Sequence, residues 1–255
     1  MGSLADRLLV VVPAHDEERR LPTALAALDH ALAQALAARE VDQVEVVVVA
    51  HRCADATAQV ARGHRWSAGV TTRVVVDPGS ETVGEVRDHG VRSALGRGRA
   101  PGIPADTWLL STDADSEVPA DWVRGLLAVA RDRQAQAVAG LVELVDWQAT
   151  PAARRAYQRI VEAGVTGPDT HTHAYAANLA VRLDAYLAVG GFPAVAHGEE
   201  ASLLAALVAA GRPITSTRAC VVRTSGRMPG RAVAGLGHLL QTLGDPAECL
   251  AAEGV

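Results

Sequence analysis

The chain is poor in aromatic residues: four Trp, three Tyr and one Phe make up 3% of 255 residues. Its core must therefore be packed from Ala, Val and Leu. The 49% hydrophobic content allows this, and the length suits one large α/β domain or two small ones. Cysteine is scarce as well. Cys53, Cys220 and Cys249 show neither paired nor metal-ligand spacing, so the chain reads as a protein of a reducing compartment. No stretch approaches the ~20 apolar residues of a membrane span, and the first residues lack a signal-peptide pattern. Met1-Gly2 opens like an acylation site, but Asp6 stands where that motif requires Ser or Thr. An excess of basic charge is also missing. The net charge of −5 and pI near 6.0 argue against nucleic acid or an anionic membrane as the main partner. The expectation is a cytoplasmic protein with no integral membrane segment.

What is present is an alternation of short apolar runs and amphipathic stretches. Leu8 to Val12 predicts a buried strand followed by a loop from Pro13 to Glu18. Leu21, Leu25, Leu28, Leu32 and Leu36 keep helical spacing, with Pro22 suited to a first turn. Val44 to Ala50 reads as a strand covered on both faces, and Asp55 as the cap of a helix running to Arg62. Thr72 to Val76 predicts a third strand and Thr82 to Leu95 a helix. Gly96 to Ala105 reads as a loop, before a strand beginning at Trp108. Helices are predicted over 119–131, 151–163, 184–189, 199–210 and 231–243, and strands over 137–145 and 214–222. Gly164 to Tyr175 reads as a polar loop. Strand–helix alternation of this kind predicts a mostly parallel central sheet flanked by helices.

The chemistry starts at Trp108-Leu109-Leu110-Ser111-Thr112-Asp113-Ala114-Asp115, an apolar run ending in two carboxylates. Ligands of open α/β sheets bind outside the carboxyl ends of the strands, so these acids face a ligand crevice. Like charges this close persist most easily beside a cation. Oxygen-only donors favour Mg²⁺ or Mn²⁺, held by one or two carboxylates plus substrate phosphate oxygens.

Five segments together resemble family 2 glycosyltransferases. They are Val11-Val12-Pro13-Ala14-His15-Asp16-Glu17-Glu18, Thr112-Asp113-Ala114-Asp115, Ala177-Asn178-Leu179-Ala180-Val181, Gly190-Gly191-Phe192, and Gly198-Glu199-Glu200 followed by Leu203. They occur in the family's order from about Leu8 to Gly211. The resemblance implies a single GT-A domain over 1–255, with a nucleotide-sugar-binding half at 1–118 and an acceptor-binding half at 119–255. It implies inverting transfer of a sugar from a nucleotide-diphosphate donor, a UDP-sugar in preference to a GDP- or TDP-sugar, assisted by Mn²⁺ or Mg²⁺. By the same resemblance, Asp115 contacts the metal, and Asp113 lies near the ribose or a metal-bound water. Pro13, Ala14, His15 and Glu17 match the nucleotide-binding loop. Glu200 takes the place of the catalytic base, and Glu199 that of an orienting or acceptor-binding acid.

Departures from the family pattern are visible too. His51 stands where relatives often carry an Asp that recognises the base, with Asp55 nearby as a second source of contacts. A lysine common near Gly84 is absent, and Arg87 reads either as a diphosphate contact in its place or as a solvated helix charge. The neighbourhood of a late metal-binding histidine reads Thr224-Ser225-Gly226, with Arg223, Arg227 and Arg231 around it to close over a diphosphate. His171, His173 and His197 read as loop histidines, and Trp147 and Tyr175 as either core or a sugar-stacking surface. The Asp-to-Glu change at Glu200 and the altered His51 region leave open a catalytically degenerate nucleotide- or partner-binding protein. A sugar nucleotidyltransferase fits less well, because Pro13-Ala14-His15-Asp16 is not a Gly-rich loop. The acceptor, a hydroxyl on a small molecule, natural product or lipid head group, has no readable motif. The apolar helix from Leu203 to Ala210 and the terminal helix offer surfaces for a homodimer.

Overall fold

The apolar run at Leu8 lies inside an eight-stranded sheet, third from one edge. The computed structural model of the chain describes residues 4–96, 106–227 and 235–244. Four parallel strands form one half of the sheet: β1 (Ala5–Ala14), β2 (Val41–His51), β3 (Val70–Asp77) and β4 (Thr107–Ser111), in the order β3-β2-β1-β4. Between them run the helices α1 (Leu21–Ala37), α2 (Thr57–Gly63) and α3 (Val83–Leu95). The short strand β5 (Ser116–Glu117) follows, then α4 (Trp122–Asp132), β6 (Ala137–Val145) and α5 (Pro151–Ala163). A two-stranded ribbon, β7 (Val165–Gly167) with β8 (Thr170–His171), leads through a 3₁₀ turn at Ala176–Asn178 to β9 (Leu179–Arg182). The chain continues with α6 (Leu183–Ala188), α7 (Glu199–Ala209), β10 (Ile214–Ser225) and α8 (Leu236–Gly244). The second half of the sheet continues β4-β9-β6-β10-β5.

Two-residue periodicity divides the core. On β1, Leu8, Val10 and Val12 pack with Leu21, Leu25, Leu28 and Leu32 of α1 and with Trp122, Leu126 and Leu127 of α4. The intervening Leu9 and Val11 face the other way, onto Val86 and Val91 of α3, Tyr186 of α6 and Leu203 and Leu207 of α7. A strand covered on both sides has no polar face, which is why β1 and β2 read as unbroken apolar runs. Gly90 lets α3 sit close to the sheet: a Cβ there would lie 2.7 Å from Val49 Cγ2 and 2.8 Å from Val11 Cγ2. No helix among the described residues is long and apolar enough to cross a membrane.

Several expectations need correction. β1 runs to Ala14, so Pro13 and Ala14 are strand residues in register with Val49 and Ala50, not loop residues. Leu179–Arg182 is a strand, pairing antiparallel with both β4 and β6. Four residues are too few to show a period, and strand–helix alternation does not anticipate an antiparallel insertion. The polar loop from Gly164 holds the β7–β8 ribbon, and Ser116–Glu117 pairs with β10. Of the loop expected from Gly96 and the helix expected from Arg231, the stretches 97–105 and 231–234 lie outside the described residues, as does Cys249.

Filling the space at Gly90 forces α3 away from the sheet. Gly90→Val is expected to lower the unfolding free energy by about 1–3 kcal/mol, measured by urea denaturation.

Candidate active site

Glu17, His51, Asp113 and Asp115, candidates named from the sequence, lie along the carboxyl edge of the parallel strands. The chain leaves β1 at Ala14 and β2 at His51 through residues with left-handed backbones, Asp16 (φ 53°) and Arg52 (φ 45°). Such conformations are uncommon for non-glycine residues and need local support. Asp16 has it: its Oδ1 accepts from the N–H groups of Ala54 (2.7 Å) and Asp55 (3.3 Å). Asp55 accepts from Glu18 N–H (3.0 Å) and Thr57 N–H (2.9 Å), and the Thr57 hydroxyl accepts from Glu17 N–H (2.7 Å). Asp55 was expected to cap α2; the cap position is instead Ala56, without a side-chain cap bond, and Asp55 one residue earlier ties the two loops together. His15 adds a further tie, its Nδ1 donating to the His51 carbonyl at 2.8 Å.

The acidic pair is fixed from both sides. Ser111 ends β4, and after Asp115 the chain enters β5, where the Ser116 hydroxyl donates to Thr224 Oγ1 of β10 at 2.8 Å. Ser116 N–H closes the turn on the Asp113 carbonyl at 3.1 Å. Burial pushes the Asp115 carboxyl up to about 7, helped by the charge of Asp113 and only partly opposed by Arg227. Two carboxylates one residue apart, of which Asp115 is buried, suit a hard divalent cation bound by oxygen. Asp115 and Asp113 would hold such an ion, with ligand oxygens completing its shell. Among the described residues, three metal-ligating side chains converge at Asp16, Cys53 and Asp55, but this group stitches the loops as above.

Two guanidinium groups balance the acids. Arg87 of α3 is 3% exposed. It donates through Nη2 to Asp113 Oδ1 (2.5 Å), through Nη1 to Glu199 Oε1 (2.5 Å) and through Nε to the Ser111 hydroxyl (3.2 Å). Its carbon Cζ also lies 5.8 Å from the centroid of Phe192, within cation–π range. The sequence suggested Arg87 as a diphosphate contact. The other reading, a solvated helix charge, is excluded: the guanidinium is buried and engages three protein acceptors, so it braces the site. Arg227 forms a two-pronged pair with Glu17, one contact at 2.7 Å, and its Nη2 lies 3.4 Å from Asp115 Oδ2. Arg223 pairs instead with Glu117 (3.2 Å), and Arg231 lies outside the described residues.

Helix α7 begins at Gly198 (φ 72°) and presents Glu199 and Glu200 in its first turn. Glu199 is buried on Arg87, consistent in position with an orienting acid. Burial lifts the Glu200 carboxyl to about 7, with the charge of Glu199 adding to the effect and Arg87 opposing it. The Gly-Gly-Phe segment fixes the approach to this helix. Phe192 N–H donates to the Tyr186 hydroxyl (3.0 Å), which donates to Asp88 (2.9 Å), while Gly84 leaves room for the Pro193 carbonyl. On the other flank, His171 and His173 lie near backbone carbonyls of Thr217 and Val161, so they are structural. Trp147 is buried against Tyr157 and Leu240, and His173 stacks on Tyr175.

Removing the Arg87 charge leaves Asp113 and Glu199 without their counter-ion. Arg87→Met is expected to cost about 3–5 kcal/mol in a denaturant titration, and adding Glu199→Gln to recover part of the loss. A second expectation concerns pH. A carboxyl whose folded pKa is raised stabilises the fold below its unfolded value, and this stabilisation is lost as pH rises through about 7. Without added metal, Asp115→Asn should therefore gain Tm relative to the unaltered chain as pH rises from about 5 to about 8, read by thermal denaturation.

Residues 9–186 match the family model described as Glycosyl transferase family 2. Among solved structures, S. aureus TarS 1-349 in complex with UDP-GlcNAc is similar with a TM-score of 0.64 at 15% identity, covering 90% of this chain and 61% of that one. Mannosyltransferase PcManGT from Pyrobaculum calidifontis, in complex with GDP-Man and Mn²⁺, gives 0.58 at 18% identity, covering 90% and 60%. GalNAc-T7 with UDP, GalNAc and Mn²⁺ gives 0.59 at 14%, covering 94% and 47%. The chain thus spans 61% of the TarS fragment and 60% of PcManGT. No match to a curated protein was found. The fold, a mostly parallel curled sheet flanked by helices, is the GT-A fold of these glycosyltransferases. With the family model matching 9–186, the chain belongs to glycosyl transferase family 2.

Proposed function

We propose that the chain transfers a sugar, with inversion, from a nucleotide-diphosphate sugar to a hydroxyl acceptor. The observation that carries this reading is the meeting of Asp113, Asp115 and Glu199 through two guanidinium groups at one sheet edge, with Glu200 beside them. The complexes of TarS with UDP-GlcNAc and of PcManGT with GDP-Man and Mn²⁺ support the donor class. The donor half is 1–118 and the acceptor half 119–255. The nucleotide lies against Pro13, Ala14, His15, Glu17 and His51, with its diphosphate towards Asp113, Asp115 and Arg227. A divalent ion, Mn²⁺ or Mg²⁺, on Asp115 and Asp113 would supply Lewis-acid neutralisation of the diphosphate.

Glu200 is the general base. Its carboxylate takes the proton of the acceptor hydroxyl as the acceptor oxygen bonds to the anomeric carbon. The bond from that carbon to the diphosphate oxygen breaks in the same event, and its electron pair departs with the leaving group. A pKa of about 7 suits this role, because a base works best when its pKa lies near the working pH. Glu199, anchored on Arg87, holds the start of α7 in place and is not itself a proton acceptor.

Glu200→Gln is expected to reduce turnover about 10²–10⁴-fold while donor binding, measured by calorimetry with Mn²⁺, is kept. Unchanged turnover in that variant, or activity persisting in Asp115→Ala, would overturn these assignments.

A further inference from the structure

Arg227 joins two acids to which the proposed chemistry gives different ligands. Glu17, in the loop after β1, lies on the nucleotide side, and Asp115, after β4, is an acid of the metal-holding pair. The guanidinium forks onto Glu17, with Nη1 2.7 Å from Oε2 and Nη2 paired with Oε1. The same Nη2 lies 3.4 Å from Asp115 Oδ2. The side chains of Arg227, Asp115 and Glu17 are 18%, 16% and 6% exposed, so solvent screens these charges weakly. Burial pulls the Arg227 pKa down, but the hydrogen bond to Glu17 and the charges of Asp115, Glu17 and Asp113 outweigh it and hold it raised.

The guanidinium reaches this position from an anchored backbone. Gly226 N–H donates to the Val145 carbonyl at 2.7 Å, and Arg227 N–H to the Ser225 hydroxyl at 3.3 Å. Gly226 passes Trp147 so closely that a Cβ there would lie 2.5 Å from Trp147 Cβ. Glu17 is anchored as well, its N–H donating to the Thr57 hydroxyl at 2.7 Å. A change of rotamer along the long arginine side chain is therefore the movement that can separate the three charges.

A divalent ion on Asp115 and this guanidinium compete for one carboxylate. Their repulsion is larger than that of two unit charges at the same separation, because it scales with the product of the charges. The ion must therefore push Arg227 away from Asp115. A nucleotide entering at Glu17 must break the other half of the same fork. The displaced guanidinium then meets phosphate oxygens, which match its planar geometry.

We infer that Arg227 is a positioning residue that keeps Asp115 from taking a divalent cation alone, and yields it when a nucleoside diphosphate arrives to engage the guanidinium. Cation and nucleotide thus bind cooperatively, each raising the affinity of the other by the same factor. An arginine that only neutralised the leaving diphosphate would leave cation-only binding unchanged. This inference rests on the donor reading proposed above.

The test is titration of the folded protein with Mn²⁺ alone, read from the free-ion signal in electron paramagnetic resonance. Arg227→Met is expected to bind Mn²⁺ about tenfold or more tighter than the unaltered chain. Arg227→Lys, which keeps the charge, should restore the weaker binding, and Arg227→Met combined with Asp115→Asn should lose the gain. Circular dichroism checks each variant for folding. With saturating UDP or GDP, the enhancement of Mn²⁺ binding by the nucleotide should be smaller in Arg227→Met than in the unaltered chain. A folded Arg227→Met that binds Mn²⁺ alone no tighter, or a gain that survives Asp115→Asn, would overturn the inference while leaving the donor reading intact. If neither the unaltered chain nor Arg227→Met, both folded, bound Mn²⁺ with or without nucleotide, both would be overturned.

Discussion

The structure depends on keeping carboxylates together at one edge of a sheet. Glu17, Asp113, Asp115, Glu199 and Glu200 come from three separate places in the chain, and mutual repulsion alone would drive them apart. Two guanidinium groups prevent this. Arg87 bridges Asp113 to Glu199, and Arg227 bridges Glu17 towards Asp115. The chain has no lysine, since its 24 Lys and Arg positions are all arginine. The planar, permanently charged fork of arginine can serve several acceptors at once when buried, which a single ammonium does less well. The charge balance remains incomplete. Asp115 and Glu200 are both lifted to about 7, which marks where a further positive charge or a proton is accommodated.

This arrangement is rigid because each acid is anchored through backbone as well as charge. The acidic pair lies between β4 and β5, and β5 is hydrogen-bonded to β10, far along the chain. The glutamates head a helix whose approach is fixed by Tyr186, Asp88 and the close passage of Pro193 past Gly84. Helix α3 connects these parts: it packs Val86 and Val91 into the core below the sheet and carries Arg87 and Asp88 to the two sides of the site. A displacement of α3 is therefore a displacement of the acids.

Much of this was legible before any coordinates. β1, β2 and β4 are buried on both faces, so their apolar runs stand out against the polar loops that follow them. Glu17 after β1, His51 at the end of β2 and Asp113 to Asp115 after β4 lie at the carboxyl edge of these strands, as their sequence positions imply. Strand β9 was not recognised as a strand, because Leu179 to Arg182 is too short for periodicity and pairs with strands distant in sequence. The burial of Arg87 was not legible, because a charged residue on an amphipathic helix resembles a solvated one. Its burial comes from packing against Phe192 and α7, which belong to the other half of the chain. Asp77 is the last residue of β3, one beyond the strand end expected at Val76. Only the parallel pairing of β3 with β2 brings it beside His51.

The sequence by itself determined the α/β class, the order of most elements, the acidic pair at a strand end and the likeness to family 2, since these are carried by local pattern and motif. Tertiary structure decided which charges neutralise which. The partners of Arg87, Arg227 and His51 lie 24 to 210 residues away along the chain. Contacts over such separations are set by sheet order and helix packing, and no local spacing encodes them.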